Sequence, residues 1–544
     1  MCGILAVIGK RSPEEVQRLS KRMSHRGPDE SGMHVSPFGA VMCHERLSII
    51  DLTTGRQPIQ GTGNAYVMHN GEIYNHNELR QGELKHHTFR TTCDSEVIVH
   101  LYEEHGYDFC NKLRGMFSFV LVDDDTGKYM VARDPIGIKP LYYGYDNQCN
   151  MYFSSEMKSI ADQCLHFEAF PPGHYYTPET GFVKYYQPAW EDYTIATNPV
   201  DYTKLRDALI DSTRVRLMSD VPLGVLLSGG LDSSLISSIT KRLLRGTKQE
   251  LHSFSVGLAP DAPDLKAARE VAKFIGTTHH EVIFTVEQGI KELEKIIWHL
   301  ESYDVTTIRA STPMYFLSKY ISEMGIKVVL SGEGADEVFG GYLYFHNAPS
   351  PAELAKETVR RVKLLSTADC LRADKATMAW GIEARVPFLD RRFLDVAMTI
   401  CPEDRMPKRS EGRMEKYIVR KAFEDKNDPF LPDSILWRQK EQFSDGVGYN
   451  WIEQIVAYCE NIITDKDFAK AAERFPYNTP TTKEAFYFRT LFEKHYPQIT
   501  SARTVLKWVP KWQANNDPSG RVCDTHVNKV DDVQKTKKKN ATIS

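Results

Sequence analysis

The sequence predicts two unlike domains in one chain, an α+β domain built on antiparallel sheet followed by an α/β domain built on a parallel sheet. Three observations carry that prediction. At 544 residues the chain is too long for one hydrophobic core, so two or three domains are required. Up to about residue 195 it consists of short apolar runs divided by turn residues. From Leu205 onward, strand-like and helix-like segments alternate, which demands a parallel sheet covered on both faces.

The elements follow in order. "MCGILAVIG" places Ile4, Leu5, Val7 and Ile8 in a first strand, and "AVMCHERLSII" and "AYVMHNGEIYN" are further apolar runs. Phe117 to Ala132 alternates in polarity and breaks at the polar turn "DDDTGK", which reads as a β-hairpin. "PAWEDYTIATNPVDY" is loop-like. Beyond it, "GVLLSGG" is a buried strand entering a glycine turn, "DSSLISSITKRLL" a helix, "LHSFSVGL" a strand, "DLKAAREVAKFIG" a helix and "HHEVIF" a strand. The helical "STPMYFLSKYISEMG" then leads into the strand "IKVVLSGEG". Ligands of such a sheet bind beyond the carboxyl ends of its strands, where "SGGLDSS" and "SGEGADE" both fall. The expected domains are residues 2–190 and 200–515, with 516–544, polar and ending in "KTKKKNATIS", expected as a disordered tail.

Composition narrows the function. Lys and Arg total 68 against 72 Asp and Glu, with no basic stripe, which argues against nucleic acid as a partner. Ten cysteines without a Cys-x-x-Cys or a Cys/His cluster at zinc spacing fit a reduced, intracellular protein without a structural metal. The sequence has no apolar stretch of about 18 residues and no signal-peptide pattern, so a soluble, cytoplasmic protein without membrane association is expected.

Three motifs carry chemistry. Cys2 follows the initiator methionine directly and precedes a glycine and an apolar run, although chain starts are usually polar and frayed. The plain alternative is a first strand whose second residue is a small buried hydrophobe. "SGGLDSS", Ser228 to Ser234, joins a strand to a helix, so backbone N–H groups and the positive helix end converge on an anion site. It lacks the lysine of the γ-phosphate loop and carries Asp232 instead, a carboxylate suited to Mg²⁺ among phosphates. "SGEGADEVFGGY", Ser331 to Tyr342, packs Glu333, Asp336 and Glu337 among glycines that allow close backbone approach. Clustered acids of this kind are costly unless a metal or cation neutralises them.

Together with "HRGPD", "RLSIID", "NGEIYN", "EARVPFLD" and "WRQKEQFSDGVG", in that order along the chain, these motifs resemble those of the glutamine-hydrolysing asparagine synthetases. The resemblance covers nearly everything to about residue 515. It implies an antiparallel αββα sandwich of the N-terminal-nucleophile type, followed by a parallel-sheet domain of the PP-loop ATP pyrophosphatase type. It further implies that Met1 is removed and that Cys2 is the nucleophile. A terminal amine, with a pKa near about 8, is a suitable base for that thiol. Attack on the glutamine side-chain amide gives a thioester and ammonia, with the oxyanion held by Asn70 and the Gly71 backbone.

By the same resemblance, Arg46, Leu47, Ser48, Ile49 and Ile50 bind glutamine, the Arg46 fork taking its α-carboxylate. Glu72 and Asp94 meet the α-ammonium. For Arg46 and Asp94 taken alone, the ordinary reading is a surface ion pair. In the second domain the aspartate carboxylate attacks the α-phosphate of ATP, giving β-aspartyl-AMP and pyrophosphate. ATP is bound by Leu227, Ser228, Gly229, Gly230, Asp232, Ser233, Val256, Ser331 and Gly332, while Asp232 and Asp336 hold Mg²⁺. Glu333 matches a residue tied to adenylate formation. Lys416 matches a lysine that stabilises phosphoryl charge, although an exposed helical lysine is the default for that spot. Ammonia then crosses between the sites through a shielded channel. The partners implied are aspartate, glutamine and ATP; oligomeric state stays open, a homodimer included.

Related layouts fit less well. A β-lactam-forming synthetase shares the second half but does not keep a working N-terminal cysteine. An amidotransferase with a sugar-isomerase or phosphoribosyl-transferring domain fails on "SGGLDSS". A non-catalytic storage or stress protein is opposed by the intact set Cys2, Arg46, Asn70, Asp94, Asp232 and Glu333.

Overall fold

The computed structural model describes residues 2–441, 443–448 and 450–513, so the expected tail lies outside the described residues. Seventeen strands form three sheets among these residues. Twelve belong to the first domain: β1 (Cys2–Ile8), β2 (Glu30–Val35), β3 (Ala40–Arg46), β4 (Ile59–Gln60), β5 (Ala65–Ile73), β6 (Gly115–Asp123), β7 (Lys128–Arg133), β8 (Tyr142–Tyr145), β9 (Met151–Ser154), β10 (His166–Ala169), β11 (His174–Thr177) and β12 (Gly181–Lys184). They make two six-stranded antiparallel sheets, ordered β10-β8-β9-β1-β3-β2 and β12-β11-β7-β6-β5-β4. The predicted hairpin is β6 and β7, paired from Ser118↔Arg133 to Asp123↔Lys128.

The apolar run of β1 is continuous because both its faces are buried. Ile4 and Ala6 pack with Met68, Val120 and Val131 between the two sheets. Leu5 and Val7 pack with Val16 and Leu19 of the outer helix Pro13–Ser20. On the far face of the second sheet, Val97, Ile98 and Leu101 of the helix Glu96–His105 cover Val67, Phe119 and Leu121. The layers therefore run helix, sheet, sheet, helix, the αββα sandwich expected.

The second domain is built on β13 (Leu223–Leu226), β14 (His252–Gly257), β15 (Thr278–Ile283), β16 (Val328–Leu330) and β17 (Glu383–Arg385), all parallel, in the order β15-β14-β13-β16-β17. Leu223 and Val225 face Leu235, Ile239, Ala268 and Val271 of the helices Leu231–Leu243 and Pro263–Ile275. Phe254 and Val329 face Ile308, Leu317 and Ile321 of the helix Val305–Glu323 on the opposite side. Among the described residues no helix is long and apolar enough to cross a membrane.

The domains meet through buried charge. Arg114 pairs with Asp390 at 3.0 Å, Arg26 with Asp374 at 2.8 Å, and Arg385 at the end of β17 with Glu72 of β5 at 3.3 Å. Lys327 reaches Asp29 at 2.7 Å nearer the surface.

Candidate active sites

Two sites assemble, one in each domain. In the first, Cys2 begins β1 opposite Arg46 of β3 and is buried. Its backbone N–H donates to Asn70 Oδ1 at 2.9 Å, and its carbonyl accepts from Arg26 Nε at 3.0 Å. Burial pushes the thiol pKa up, against the pull of the positive chain start, the Leu47 N–H and Arg46. At neutral pH it is a protonated thiol that needs a nearby base before it can act as a nucleophile.

Gly71 follows Asn70 at φ +143°, and a Cβ there would lie 1.9 Å from the Met116 carbonyl oxygen, so no side chain fits. Asn70 Nδ2 in turn points to Ser155 Oγ at 3.5 Å. Arg46 and Asp94 are both buried and do not form a surface pair. Arg46 holds Glu30 at 3.1 Å and the Asp51 carbonyl, whereas Asp94 accepts from the Ile73 N–H at 2.7 Å. Glu72 is buried against Arg385, and burial beside Glu383 pushes its carboxyl well up against the pull of that arginine. Leu47 to Ile50 form the loop leaving β3, with Leu47 and Ile49 buried and the Ser48 N–H donating to Asp29 at 2.7 Å.

In the second domain a single cavity beyond the carboxyl ends of the strands is lined by Leu227, Ser228, Gly230, Asp232, Ser233, Val256, Ser331, Gly332, Glu333, Asp336 and Lys416. Gly229 lies just behind it at φ +73°, where a Cβ would come within 2.5 Å of Ala267, and its carbonyl accepts from Arg438 at 3.0 Å. Gly332 is equally constrained, since a Cβ would sit 2.7 Å from the Ser233 N–H nitrogen. The two glycine turns therefore touch backbone to backbone. Ser233 Oγ accepts from the Ser228 N–H at 3.2 Å and so shapes the loop at the helix N-terminus.

Lys416 is buried at the head of the short helix Tyr417–Ala422, with φ +57°, a conformation that costs a non-glycine residue about 1–3 kcal/mol. It is therefore not the exposed helical lysine that its sequence suggests. Its ammonium pairs with Asp232 and, at 2.6 Å, with Asp336; Lys440 takes the other Asp336 oxygen at 2.7 Å. Burial alone would raise the Asp336 carboxyl, but these two lysines hold it well below the usual carboxylate range. Arg372 Nη2 reaches both oxygens of Glu333 at 2.8 Å, while burial pushes that carboxyl up against the arginine's pull.

Arg26, Arg385 and Lys440 sit inside "HRGPD", "EARVPFLD" and "WRQKEQFSDGVG", so the motifs flagged their neighbourhoods without assigning them roles. Arg372 lies in an ordinary-looking helix and carries no sequence signal.

A buried thiol on a sandwich strand, joined to a parallel-sheet anion site, is the layout of a two-domain glutamine amidotransferase. Residues 1–175 match the glutamine amidotransferase domain family, and residues 204–355 and 348–515 match the asparagine synthase family. Asparagine synthetase [glutamine-hydrolyzing] of Zea mays is 51% identical, over 97% of this chain and 94% of its own length. The protein of that name from Asparagus officinalis is 51% identical over 96% and 92%. The Sandersonia aurantiaca protein is 54% identical over 92% and 97%. The chain belongs to the glutamine-hydrolysing asparagine synthetase family.

Proposed function

We propose that this chain makes asparagine from aspartate, ATP and glutamine, releasing AMP, pyrophosphate and glutamate. The observation that carries the reading is the presence in one chain of a buried Cys2 held at its nitrogen by Asn70 and a glycine-lined anion cavity faced by Asp232, Asp336, Lys416 and Lys440. Removal of Met1 turns the Cys2 nitrogen into an amine that takes the proton of the adjacent thiol, and the thiolate attacks the side-chain amide of glutamine. The Asn70 amide and the Gly71 N–H stabilise the oxyanion, and ammonia leaves as the thioester forms. Arg46 takes the glutamine α-carboxylate; Glu72 and Asp94 take its α-ammonium. Water then releases glutamate from Cys2.

In the second domain the Ser228–Ser233 turn and the helix end behind it cradle the phosphates, with Leu227 and Val256 against the base and ribose. The aspartate carboxylate attacks the α-phosphorus, pyrophosphate departs, and Lys416 with Lys440 offsets the charge that develops. Glu333, held by Arg372, takes the role of assisting adenylation of the aspartyl group in this reading. Ammonia then displaces AMP from β-aspartyl-AMP.

Asp232 and Asp336 suit a hard divalent cation, since these carboxylates from the two glycine turns line one cavity and Asp232 Oδ1 is buried without a hydrogen-bond partner. Mg²⁺ held there would neutralise the pyrophosphate leaving group. The reaction is placed in the cytoplasm, where its three substrates are small soluble molecules. An inventory of products tests the whole reading: asparagine, glutamate, AMP and pyrophosphate are expected in equal amounts, and ADP with phosphate in place of AMP and pyrophosphate would overturn it.

A further inference from the structure

His100 and Glu103 stand one turn apart on the outer helix of the first domain, Glu96–His105, and so share a face. The loop that follows residue 81 brings His87 against them, its ring 4.5 Å from that of His100. Both rings turn Nδ1 to one oxygen: Glu103 Oε2 lies 2.8 Å from His100 Nδ1 and 3.6 Å from His87 Nδ1. The other oxygen of Glu103 accepts from the Gly63 N–H at 3.0 Å, in the turn between β4 and β5, which fixes the carboxylate. Thr62 Oγ1 of that turn is 3.4 Å from the same His87 nitrogen. Acids also meet the far side of each ring. His87 Nε2 is 2.8 Å from Glu104 Oε1, and His100 Nε2, buried without a hydrogen bond, is 3.5 Å from Glu96 Oε1. Glu96 is itself held by the N–H groups of Arg90 and Thr91, at 2.7 and 2.8 Å.

A neutral imidazole has one N–H and one lone pair. Each of these rings faces a carboxylate at both nitrogens, so hydrogen bonding alone leaves a lone pair turned toward an acid on each ring. A cation on the shared side removes the conflict: both Nδ1 lone pairs and Glu103 bind it, while the Nε2 N–H groups donate outward to Glu104 and Glu96. Metal-bound histidines commonly have such a carboxylate behind the ring. Two imidazoles and a carboxylate, with a fourth position for water, are a donor set of zinc. Bonds of about 2.0–2.2 Å place tetrahedral ligand atoms about 3.4 Å apart. The observed 2.8 and 3.6 Å lie either side of that value, and all three ligand atoms fall within 4.8 Å of one another. His86, His87 and Glu104 make a second candidate set on the opposite nitrogen of His87. The inner set is favoured because each of its histidines has a carboxylate behind its ring, and because His100 is 1% exposed whereas the His86 side chain is 56% exposed.

We propose that His87, His100 and Glu103 form a binding site for a divalent cation of the zinc type, a structural site that ties the loop after residue 81 and the β4–β5 turn to the helix Glu96–His105. The expectation of no structural metal rested on cysteine and histidine spacing along the chain. Such spacing does not register a site that joins a loop histidine to a helix histidine and a carboxylate.

The test takes the full-length chain, freed of metal with a chelator, and titrates it with ZnCl₂ in excess MgCl₂, reading binding by calorimetry and stability by melting temperature. One zinc ion per chain is expected to bind and to raise the melting temperature, as a ligand of the folded state does. Glu103→Gln keeps the shape but removes the charged ligand. It should weaken binding by about 100-fold or more, since loss of a ligand costs at least what loss of a partner behind it does. His86→Gln should leave the affinity unchanged. No zinc binding in the unaltered chain, undiminished affinity in Glu103→Gln, or affinity lost in His86→Gln overturns the proposal. Should Glu103→Gln fail to fold, X-ray absorption of the unaltered chain carrying one equivalent of zinc decides. Two imidazole nitrogens bound to the zinc are expected there. Oxygen atoms alone, as Asp232 and Asp336 would supply, overturn the site.

Discussion

The two sites solve different chemical problems with different materials. Around Cys2 the structure supplies backbone and neutral amides: the register that sets Cys2 beside Arg46, the Asn70 side chain, and a glycine at φ +143° that no other residue could replace. Around the glycine turns of the second domain it supplies charge, with Asp232, Asp336, Lys440 and Glu333 half-buried around the buried Lys416 and Arg372. An uncharged amide needs a positioned thiol and two donors, whereas a nucleotide brings several negative charges that must be matched before they enter a cavity. The first site is set by sheet register, with buried charge around it in Arg26, Arg46, Glu72 and Asp94, and the second by which carboxylates and cations the loops bring together.

The sharpest test of that contrast is to break each site and read the other. Cys2→Ala should lower glutamine-dependent asparagine synthesis by about 10⁴-fold or more, as loss of a nucleophile does elsewhere, while synthesis from an ammonium salt continues. Loss of both in a folded protein would mean that the sites are not separable. Asp232→Asn removes one charge from the second cluster and should cut synthesis from either nitrogen source by about 10³-fold, leaving glutamate release from glutamine in place. Parallel collapse of glutamate release would break the comparison from the other side. Asn70→Ala deletes one oxyanion donor and should cost about 10²-fold in glutamate release, with ammonia-dependent synthesis untouched. An unaltered rate of release would take Asn70 out of the oxyanion site.

The smallest effect concerns the seam between the regions. Burial would raise the Asp390 carboxyl, but Arg216 and Arg114 hold it down to about 2. Because the folded value lies below the unfolded value of about 3.9, the contribution is fully present above about pH 4 and is lost as pH falls toward 2. Its size at neutral pH is about 2.6 kcal/mol. Denaturant titrations of the unaltered chain and Asp390→Asn should differ in stability at pH 7 and converge below pH 4. A gap independent of pH would show that the carboxylate's charge is not what stabilises the seam.

Much of this could be read from residues in line. The β6–β7 hairpin announced itself by alternation and a polar turn, and the βαβ order of the second domain by its change of period. Leu227, Ser228, Gly230, Asp232, Ser233, Val256, Ser331, Gly332, Glu333, Asp336 and Lys416, drawn from segments far apart in sequence, line one cavity. Lys416 shows where linear reading stops. Its neighbours form a helix, and an exposed helical lysine is the ordinary case, yet a left-handed backbone turns it inward onto two carboxylates from other loops. Arg46 and Asp94 behave alike: as an isolated pair they suggest a surface ion pair, and in the fold each is buried with its own partner.

The sequence by itself determined the local chemistry: two domains from the change in hydrophobic period, a thiol at the start of a strand, two glycine turns at strand ends, and the acids within them. These follow from short-range rules of side-chain spacing and backbone freedom. The tertiary structure alone decided which charges meet, because ion pairing inside a protein depends on elements hundreds of residues apart arriving with matched geometry and without water. Arg26 finds Asp374 across 348 positions, and Lys416 finds Asp232 across 184. No periodicity records such pairs, since what stabilises them is the low-dielectric space that exists only after the domains have packed.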